Sequence, residues 1–187
     1  GPPSWMIRGH GSDSCNVVAM SVSIRAAQQS DVAALHVLIR ALADYEKLTA
    51  QVVGTAQDLQ RELFSERPVI EAVIAWDEES ALGFALYFHN YSTFLARRGL
   101  YLEDLFVVPE ARGRGIGKAL MRHCASVAVE RGCGRFEWAV LDWNQPAIEF
   151  YQSIGATILP EWQLCRLSGD ALHRFAALSM PDKPPQP

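Results

Sequence analysis

The chain has 187 residues, of which 49% are hydrophobic and 20% are charged, a composition typical of a globular domain with a buried core. Its net charge of −4 disfavours nucleic acid as a partner, because such binding needs a basic face that neutralises phosphates. No apolar run approaches the roughly 20 residues that a membrane-spanning helix needs, and the N-terminal residues lack the apolar stretch of a signal peptide. We therefore expect a cytoplasmic protein that binds neither nucleic acid nor a membrane.

The four cysteines, Cys15, Cys124, Cys133 and Cys165, are scattered along the chain. None of them forms a Cys-x-x-Cys pair, and the sequence contains no His-Glu-x-x-His motif, so it predicts no metal site. We expect reduced thiols, as in most cytoplasmic proteins.

Both ends of the chain differ in composition from its centre. Residues 1–20 resemble a loose leader, whose opening Gly-Pro is typical of a remnant of cloning. Residues 179–187 are rich in proline and predict a mobile tail. The folded domain is therefore expected over residues 21–178.

The N-terminal part of this domain predicts one strand and two helices. Residues 22–27 predict the strand, and Ser30 or Asp31 can cap a helix with leucines on one face. Thr55 and Asp58 form a capping box at the start of a second helix.

The remaining elements alternate between strand and helix. Residues 69–76 and 81–88 flank a polar turn and predict an antiparallel hairpin, and 100–108 predict a further strand. After a glycine-rich stretch come a helix that ends at Gly132, a strand over 135–142, and a short helix opened by Pro146. A closing pair of strands around 156–167 and a helix from Ser168 complete the fold. This order predicts an α/β or α+β protein with a mixed sheet.

The glycine-rich stretch at 112–120, RGRGIGKAL, joins a strand to a helix. Backbone N–H groups at the positive end of a helix dipole favour phosphate, and glycines let a ligand approach the main chain. Arg112, Arg114 and Lys118 add positive charge. The patterns for nucleoside triphosphates and dinucleotides both fail, because Ala119 replaces the Ser or Thr of the first and Lys118 replaces the third glycine of the second. An exposed basic turn without a ligand is the alternative.

Two motifs carry a family resemblance. Arg112, Gly115 and Gly117 fit the pattern Arg/Gln-x-x-Gly-x-Gly/Ala, directly after a strand ending EDLFVVPEA. Downstream, WNQPAIEFYQSIGA places Tyr151 seven residues after Asn144. Together with the preceding YLED, these motifs resemble the GNAT N-acetyltransferase superfamily, and most closely its spermidine/spermine and thialysine N-acetyltransferase branch.

The resemblance covers about residues 22–176 and implies a fold, a cosubstrate and an assembly. The fold would be a mixed central sheet of about seven strands with flanking helices, in which two strands splay apart and hold the arm of acetyl-CoA. No metal would be required, and homodimers are common in the family. The residues implied in acetyl-CoA binding are Leu105, Phe106, Val107, Arg112, Gly113, Arg114, Gly115, Ile116, Gly117, Lys118, Asn144, Pro146 and Ala147.

Acetyl transfer to an amine requires a neutral amine, and an alkylamine with a pKa of ~10.4 costs about 4.6 kcal/mol to neutralise at pH 7. A nearby carboxylate can take up that proton, directly or through water. By the resemblance, Glu103 faces the acceptor and is the candidate base; an ordinary exposed strand carboxylate is the alternative. Strand alternation places Asp104 on the opposite face, so it ranks second, as a helper or a structural acid.

The same resemblance places Tyr151 beside the thioester sulfur, as the acid that protonates the departing thiolate. From reference pKa values of ~10 and ~8.5 this transfer is uphill, so it requires a phenol held against the sulfur. A core tyrosine is the alternative. Asn144 would hydrogen-bond the pantetheine arm, cap the helix ahead of Pro146, or do both. Backbone N–H groups near 105–107 would polarise the acetyl carbonyl, unless they are ordinary ladder donors.

The acceptor would contact acidic and aromatic residues, which suit a cationic amine. They are Tyr45, Glu46, Glu103, Asp104, Glu137 and Trp138. A solvated helix end for Glu46 and a core position for Trp138 are the alternatives. The loop at 89–99 has no carboxylate and carries Arg97 and Arg98, which favours a short diamine or a lysine-like amino acid over a long polycation. A solvated hairpin tip is the other explanation of these arginines.

The sequence thus predicts an N-acetyltransferase that moves acetyl from acetyl-CoA to a primary amine of a small cationic metabolite, by direct attack in a ternary complex. One alternative is acetylation of protein lysines or N-termini, which would need an open peptide groove. Another is a regulatory module that binds CoA without catalysis, which would need neither Glu103 nor Tyr151.

Overall fold

The computed structural model describes residues 22–178. The predicted leader at 1–20, with Cys15, and the predicted tail at 179–187 lie outside the described residues. The chain divides into two compact units, with the boundary between Ala139 and Val140. One folded domain over residues 21–178 stays a prediction.

The first unit is built on a mixed sheet. Its strands are β1 (Ser23–Ala26), β2 (Glu71–Asp77), β3 (Ser80–Ser92), β4 (Arg97–Val107) and β5 (Phe136–Trp138). They lie in the order β1-β2-β3-β4-β5, and the pairings are antiparallel except for that of β4 with β5. The predicted hairpin and the α+β class are confirmed. The prediction of about seven strands is wrong, because the described residues form five.

Three helices accompany this sheet: α1 (Val32–Tyr45), α2 (Ala56–Phe64) and α3 (Ile116–Glu130). The capping box of α2 is confirmed, since the backbone N–H of Asp58 donates to Thr55 Oγ1 at 3.1 Å and that of Thr55 donates to Asp58 Oδ2 at 2.9 Å. Asp31 is the N-cap residue of α1, but its carboxylate instead accepts from Arg25 Nη1 at 2.7 Å and from the Gln28 N–H at 2.8 Å.

The sheet has a helical layer on each face. Leucines of α1 and α2 pack against Ile74, Phe84 and Phe106, and we call this side the α1 face. Strand residues alternate in direction, so Val73 and Tyr87 point to the other side, which we call the α3 face. Arg131, at the end of α3, forms an ion pair with Glu71, which pairs with Tyr87 in the sheet, and this contact places α3 on that side. Both faces are buried, as a central sheet requires.

A β-bulge interrupts β4 at its centre. Tyr87 pairs with Leu102 while its neighbour Leu86 pairs with Asp104, so Glu103 is an extra residue in β4. Leu102 therefore points to the α3 face, and Asp104, two residues later, to the α1 face. The expectation that Glu103 and Asp104 lie on opposite faces is wrong, because it assumed uninterrupted alternation and the bulge sets both residues against Leu86.

The second unit contains α4 (Gln145–Ser153) and α5 (Gly169–Ala176), as expected from Pro146 and Ser168. The predicted strand over 135–142 is shorter than expected, because β5 ends at Trp138. The predicted pair of strands around 156–167 is wrong, since these residues form neither helix nor strand. An apolar, extended sequence becomes a strand only where it finds a partner edge, and Pro160 lacks a backbone donor for one.

Candidate active site

The glycine-rich loop ends in the first turn of α3, whose N-cap residue is Gly115. Gly113 and Gly115 both have φ of 78°, in the left-handed region that other residues adopt at a cost. A Cβ at either position would meet nothing within 4 Å, so conformation rather than space requires glycine here. Gly115 brings no side-chain acceptor to the first N–H groups of α3. The helix start therefore presents unsatisfied donors to an anion.

Two of the three predicted phosphate-binding cations are held by the protein itself. Arg112 Nε donates to the carbonyl oxygen of Val107 at 3.0 Å, and its guanidinium lies 4.6 Å from the centre of the Tyr45 ring. Arg114 Nη2 lies 3.4 Å from Asp77 Oδ2. Lys118 is exposed in the first turn of α3. Arg112 thus connects the end of α1 to the loop, and Lys118 is the predicted phosphate-binding cation for which no ion pair is found among the described residues.

Among the described residues, no strand pairs with the edge of β4 next to the loop beyond its short pairing with β5. Leu100, Tyr101 and Leu102 are the residues of β4 that pair with β5. The N–H of Val108 donates to Leu82 on the β3 side at 2.9 Å, so by alternation the N–H groups of Leu105 and Val107 point away from β3. These two donors lie where the sequence predicted the groups that polarise an acetyl carbonyl.

Three of the predicted acceptor residues form a cluster of carboxylates, which we call the acidic site: Glu46, Glu103 and Asp104. Burial, and then the charges of Glu103 and Glu46, raise the pKa of Asp104 to about 6. Burial also raises the pKa of Glu46, at the end of α1. Glu103 is exposed at the bulge. The structure therefore brings together side chains from α1 and β4 that lie far apart in the sequence.

Sequence reasoning missed Tyr101, which continues the acidic site along β4. Burial, followed by the charges of Glu103 and Glu137, raises the pKa of Tyr101. Its ring centre lies 5.2 Å from that of Phe88. The signal was present in the sequence, because Tyr101 stands two residues before the candidate base on the same strand.

The two predicted acceptor residues of β5 point to opposite faces. Glu137 pairs with Tyr101 in the sheet, on the α1 face. Its carboxylate accepts from Asn90 Nδ2 at 3.0 Å and forms an ion pair with Arg135 Nε at 3.0 Å. Trp138 pairs with Leu102, on the α3 face, and its ring centre lies 4.9 Å from that of Phe136. The structure thus brings Glu137, and not Trp138, to the side of the acidic site.

The second unit holds the other predicted residues. Asn144 is the N-cap of α4, and its side chain accepts from the N–H of Ala147 at 3.4 Å, ahead of Pro146 in the first turn. The expected capping role of Asn144 is confirmed. Tyr151 is buried, with its ring centre 5.4 Å from that of Phe150. The roles of Asn144 and Tyr151 towards acetyl-CoA stay predictions.

Residues 38–156 match the acetyltransferase (GNAT) family. The chain belongs to this family. The L-ornithine N5-acetyltransferase NATA1 of Arabidopsis thaliana is 36% identical over an alignment of 203 positions, gaps included, which covers 84% of this chain and 89% of the relative. The thialysine N-epsilon-acetyltransferase of Sus scrofa is 38% identical over 167 residues, which cover 83% of this chain and 98% of the relative.

A solved structure agrees with the family. An integron cassette protein from V. cholerae superimposes on this GNAT chain with a TM-score of 0.71 at 31% identity, covering 85% of this chain and 99% of that one. The relatives fit the branch that the motifs predicted. The GNAT family uses acetyl-CoA as its cosubstrate, and this GNAT enzyme is an N-acetyltransferase.

Within residues 22–178, no group of three or more His, Cys, Asp or Glu side chains of this GNAT enzyme could hold a metal ion. None of the helices in the same range is long and apolar enough to cross a membrane. The described cysteines, Cys124, Cys133 and Cys165, are unpaired, and burial raises the pKa of the Cys124 thiol to about 12. Cys124 is therefore a packing residue of α3 rather than a nucleophile.

Proposed function

We propose that this enzyme transfers the acetyl group of acetyl-CoA to a primary amine of a small cationic metabolite, either a diamine or polyamine or a lysine-like amino acid. The acidic site of Glu46, Glu103 and Asp104 carries this proposal, because it is anionic and lies on the strand that leads to the anion-binding loop. The ornithine and thialysine acetyltransferases similar to this chain act, by their names, on amines of small amino acids. The reaction is a direct attack in a ternary complex.

Acetyl-CoA binds along the open edge of β4. Its pyrophosphate accepts from the N–H groups at the start of α3, with Lys118 adding charge. By the family resemblance, its arm enters between β4 and β5 and receives a hydrogen bond from Asn144. The N–H groups of Leu105 and Val107 donate to the acetyl oxygen and stabilise the negative charge that develops there.

The acidic site binds the acceptor as an ammonium ion and takes up its proton. Glu103 is exposed and meets the cation, while Asp104, with a pKa near 6, is a stronger base at neutral pH than an ordinary carboxylate. The proton passes to the carboxylates directly or through water. The neutral nitrogen then forms a bond to the acetyl carbon as the carbon–sulfur bond breaks.

Tyr151 is the proposed acid for the leaving group. The sulfur leaves with the electron pair of the broken bond and takes the phenolic proton, so that CoA departs as the thiol. Because the transfer is uphill by about 1.5 pKa units on reference values, it depends on the phenol being held at the sulfur. Burial of Tyr151 supports this role, since a buried side chain is fixed in position.

The first prediction concerns thiol release from acetyl-CoA with a panel of acceptors: short diamines, spermidine, lysine, thialysine, ornithine and a lysine peptide. We expect turnover with at least one free amine and, for Tyr151→Phe, a fall in kcat of about 10²–10⁴-fold. Tyr91→Phe, at an exposed tyrosine of β3, is the matched control and should leave kcat unchanged.

Other results of this assay would change the assignment. Turnover with the peptide alone would indicate a protein acetyltransferase, and binding of CoA without any turnover would indicate a regulatory module. Equal rates for Tyr151→Phe and the wild type would remove Tyr151 as the acid while leaving the activity in place.

We also propose that the enzyme is cytoplasmic and forms a homodimer. The composition supports the first proposal and the family resemblance supports the second. Sedimentation equilibrium of the full chain checks the dimer, for which we expect twice the 20.7 kDa of one chain.

A further inference from the structure

The α1 face carries a row of charged groups that extends beyond the acidic site. Tyr101 pairs with Glu137 across the sheet and precedes Glu103 by two residues on β4. Glu137 is the neighbour of Tyr101 across the β4–β5 pairing, and Arg135 precedes it by two residues on the same side. The row therefore begins with carboxylates at the acidic site and ends with an arginine.

The last two members of this row form an ion pair that remains open to solvent. Arg135 Nε lies 3.0 Å from Glu137 Oε2, and the two side chains are 39% and 34% exposed. The contact uses Nε, so the terminal NH2 groups of the guanidinium can donate to another acceptor. Asn90 Nδ2 also donates to Glu137 Oε2 and fixes the carboxylate from the β3 side.

Gly99 makes room for this pair. A Cβ at Gly99 would lie 3.3 Å from Arg135 Cγ and would collide with the amide oxygen of Asn90. The stem of Arg135 and the amide of Asn90 therefore lie against the bare backbone of β4. This contact sets the guanidinium beside Glu137 on the α1 face.

We propose, building on the function proposed above, that Arg135 and Glu137 select acceptors that carry an α-amino acid head group. Arg135 donates its terminal N–H groups to the α-carboxylate, and Glu137 accepts from the α-ammonium group. The side-chain amine of the same molecule extends to the acidic site, where it is acetylated. The adjacent opposite charges of Arg135 and Glu137 are complementary to the zwitterionic head group of an amino acid. A diamine has only positive charges, so it would leave Arg135 without an anionic partner.

The spacing along β4 fits an ornithine- or lysine-sized molecule. Tyr101, which marks the level of Glu137, precedes Glu103 by two residues, which in a regular strand span about 7 Å and which the bulge brings closer together. From Cα to the terminal nitrogen, an extended ornithine or lysine side chain spans about 5–6 Å, given the length of single bonds. When the side-chain amine of such a molecule lies at Glu103, its α-amino acid head group therefore lies at Glu137 and Arg135.

The two arginines of the β3–β4 hairpin provide a same-strand comparison. Strand alternation places Arg97 on the α1 face, with Gly99 and Tyr101, where it adds positive charge to the arginine end of the row. Arg98 points to the α3 face. Burial and the charge of Arg131 lower the pKa of His89 there, and Arg98 adds to this effect. Arg98 is therefore an exposed arginine that cannot contact the proposed head group.

The test compares two pairs of acceptors that differ only in the carboxylate: L-ornithine with 1,4-diaminobutane, and L-lysine with 1,5-diaminopentane. We expect the wild type to prefer the amino acid of each pair. Arg135→Gln should lower kcat/KM for the amino acids about 10- to 100-fold, as for a lost charged hydrogen bond, mainly through KM. The same variant should retain or increase kcat/KM for the diamines, and Arg135→Lys should restore part of the preference.

Arg98→Gln is the matched control and should leave the preference for the amino acid unchanged. The inference is overturned if Arg135→Gln lowers kcat/KM equally for both members of a pair, or if the wild type prefers the diamines. Both outcomes would leave the acetyltransferase function standing. Absence of turnover with every amine would instead overturn the proposed function itself.

Discussion

The charge of Asp104 opposes folding, and the proposed role of Asp104 in binding a cationic substrate explains why such a residue is present. Burial and the neighbouring carboxylates raise its pKa from 3.8 to about 6. Because the pKa is raised in the folded state, the associated stability is fully present below pH 3.8 and is lost as the pH rises through 6. Above pH 6 the folded enzyme holds a charge that its surroundings oppose. A bound cationic amine offsets this negative charge. The buried charge of Asp104 therefore weakens the fold but favours binding of the substrate.

The corresponding prediction is that Asp104→Asn stabilises the fold and impairs the enzyme. At pH 8 we expect the free energy of unfolding to rise by on the order of 1–3 kcal/mol, an advantage that shrinks towards pH 4 as the wild-type carboxyl becomes protonated. Activity should fall at least tenfold. Urea unfolding at pH 4, 6 and 8 measures the first effect.

Glu79→Gln, in the turn between β2 and β3, is the matched control and should show neither change. If Asp104→Asn raises the free energy of unfolding by the same amount at every pH, then burial of a polar group, rather than of a charge, destabilises the wild type.

At the scale of the element, β4 combines three structural features that its sequence alone does not predict. The bulge turns Glu103 and Asp104 to the acidic site, the edge beyond Leu102 exposes backbone donors, and Gly83 of β3 lets the two strands approach. A Cβ at Gly83 would lie 2.5 Å from the carbonyl oxygen of Phe106, a backbone atom that cannot turn away. The position of the donors therefore depends on a glycine in the neighbouring strand.

Gly83→Ala should consequently weaken both the fold and the catalysis. We expect a loss of about 1–3 kcal/mol in the free energy of unfolding, because β4 must shift to admit the methyl group. At a temperature where the variant is folded, kcat should also fall, since the N–H groups of Leu105 and Val107 move with the strand. Denaturant unfolding and the thiol-release assay measure the two effects.

Gly54→Ala provides the comparison, because a Cβ there meets nothing within 4 Å. Its effect should stay within about 0.5 kcal/mol. Equal stability of the two variants would show that β3 and β4 are looser than the structure indicates.

For the whole molecule, short sequence patterns correctly predicted the elements that depend on residues close together in the chain. The capping box at Thr55 and Asp58, the hairpin, and the helix after the glycine-rich loop are all confirmed. The bulge at Glu103 was missed because it is a property of the register between two strands. The contact of Glu137 with Asn90 joins residues 47 positions apart, and no pattern in either segment indicates it.

The predicted strands around 156–167 failed for a related reason. An apolar, extended sequence is necessary for a strand, but a ladder also needs a partner, which the segment itself does not specify. The family motifs combine residues from separate elements and so carry information that local patterns lack. They indicate Glu46 and Glu103 as parts of one substrate site, which stays a prediction.

A prediction for the whole molecule is that CoA stabilises the folded enzyme through the glycine-rich loop. At a hundredfold excess over Kd, binding adds about 2.7 kcal/mol. For a chain of this size, that corresponds to a rise in Tm of about 5–10 °C. Pantetheine at the same concentration lacks the pyrophosphate and should produce a much smaller rise. Equal shifts for both ligands would show that the start of α3 does not bind the phosphates.

The contact of Arg112 with Tyr45 has a consequence for the affinities of the two substrates. The Arg112 guanidinium donates to the carbonyl oxygen of Val107, beside the loop, and lies on the ring of Tyr45, the residue that precedes Glu46. We expect a movement of the loop around a bound anion to shift the end of α1 through this contact. Thermodynamic linkage then makes the effect mutual: the factor by which acetyl-CoA changes the affinity for the amine is the factor by which the amine changes the affinity for acetyl-CoA.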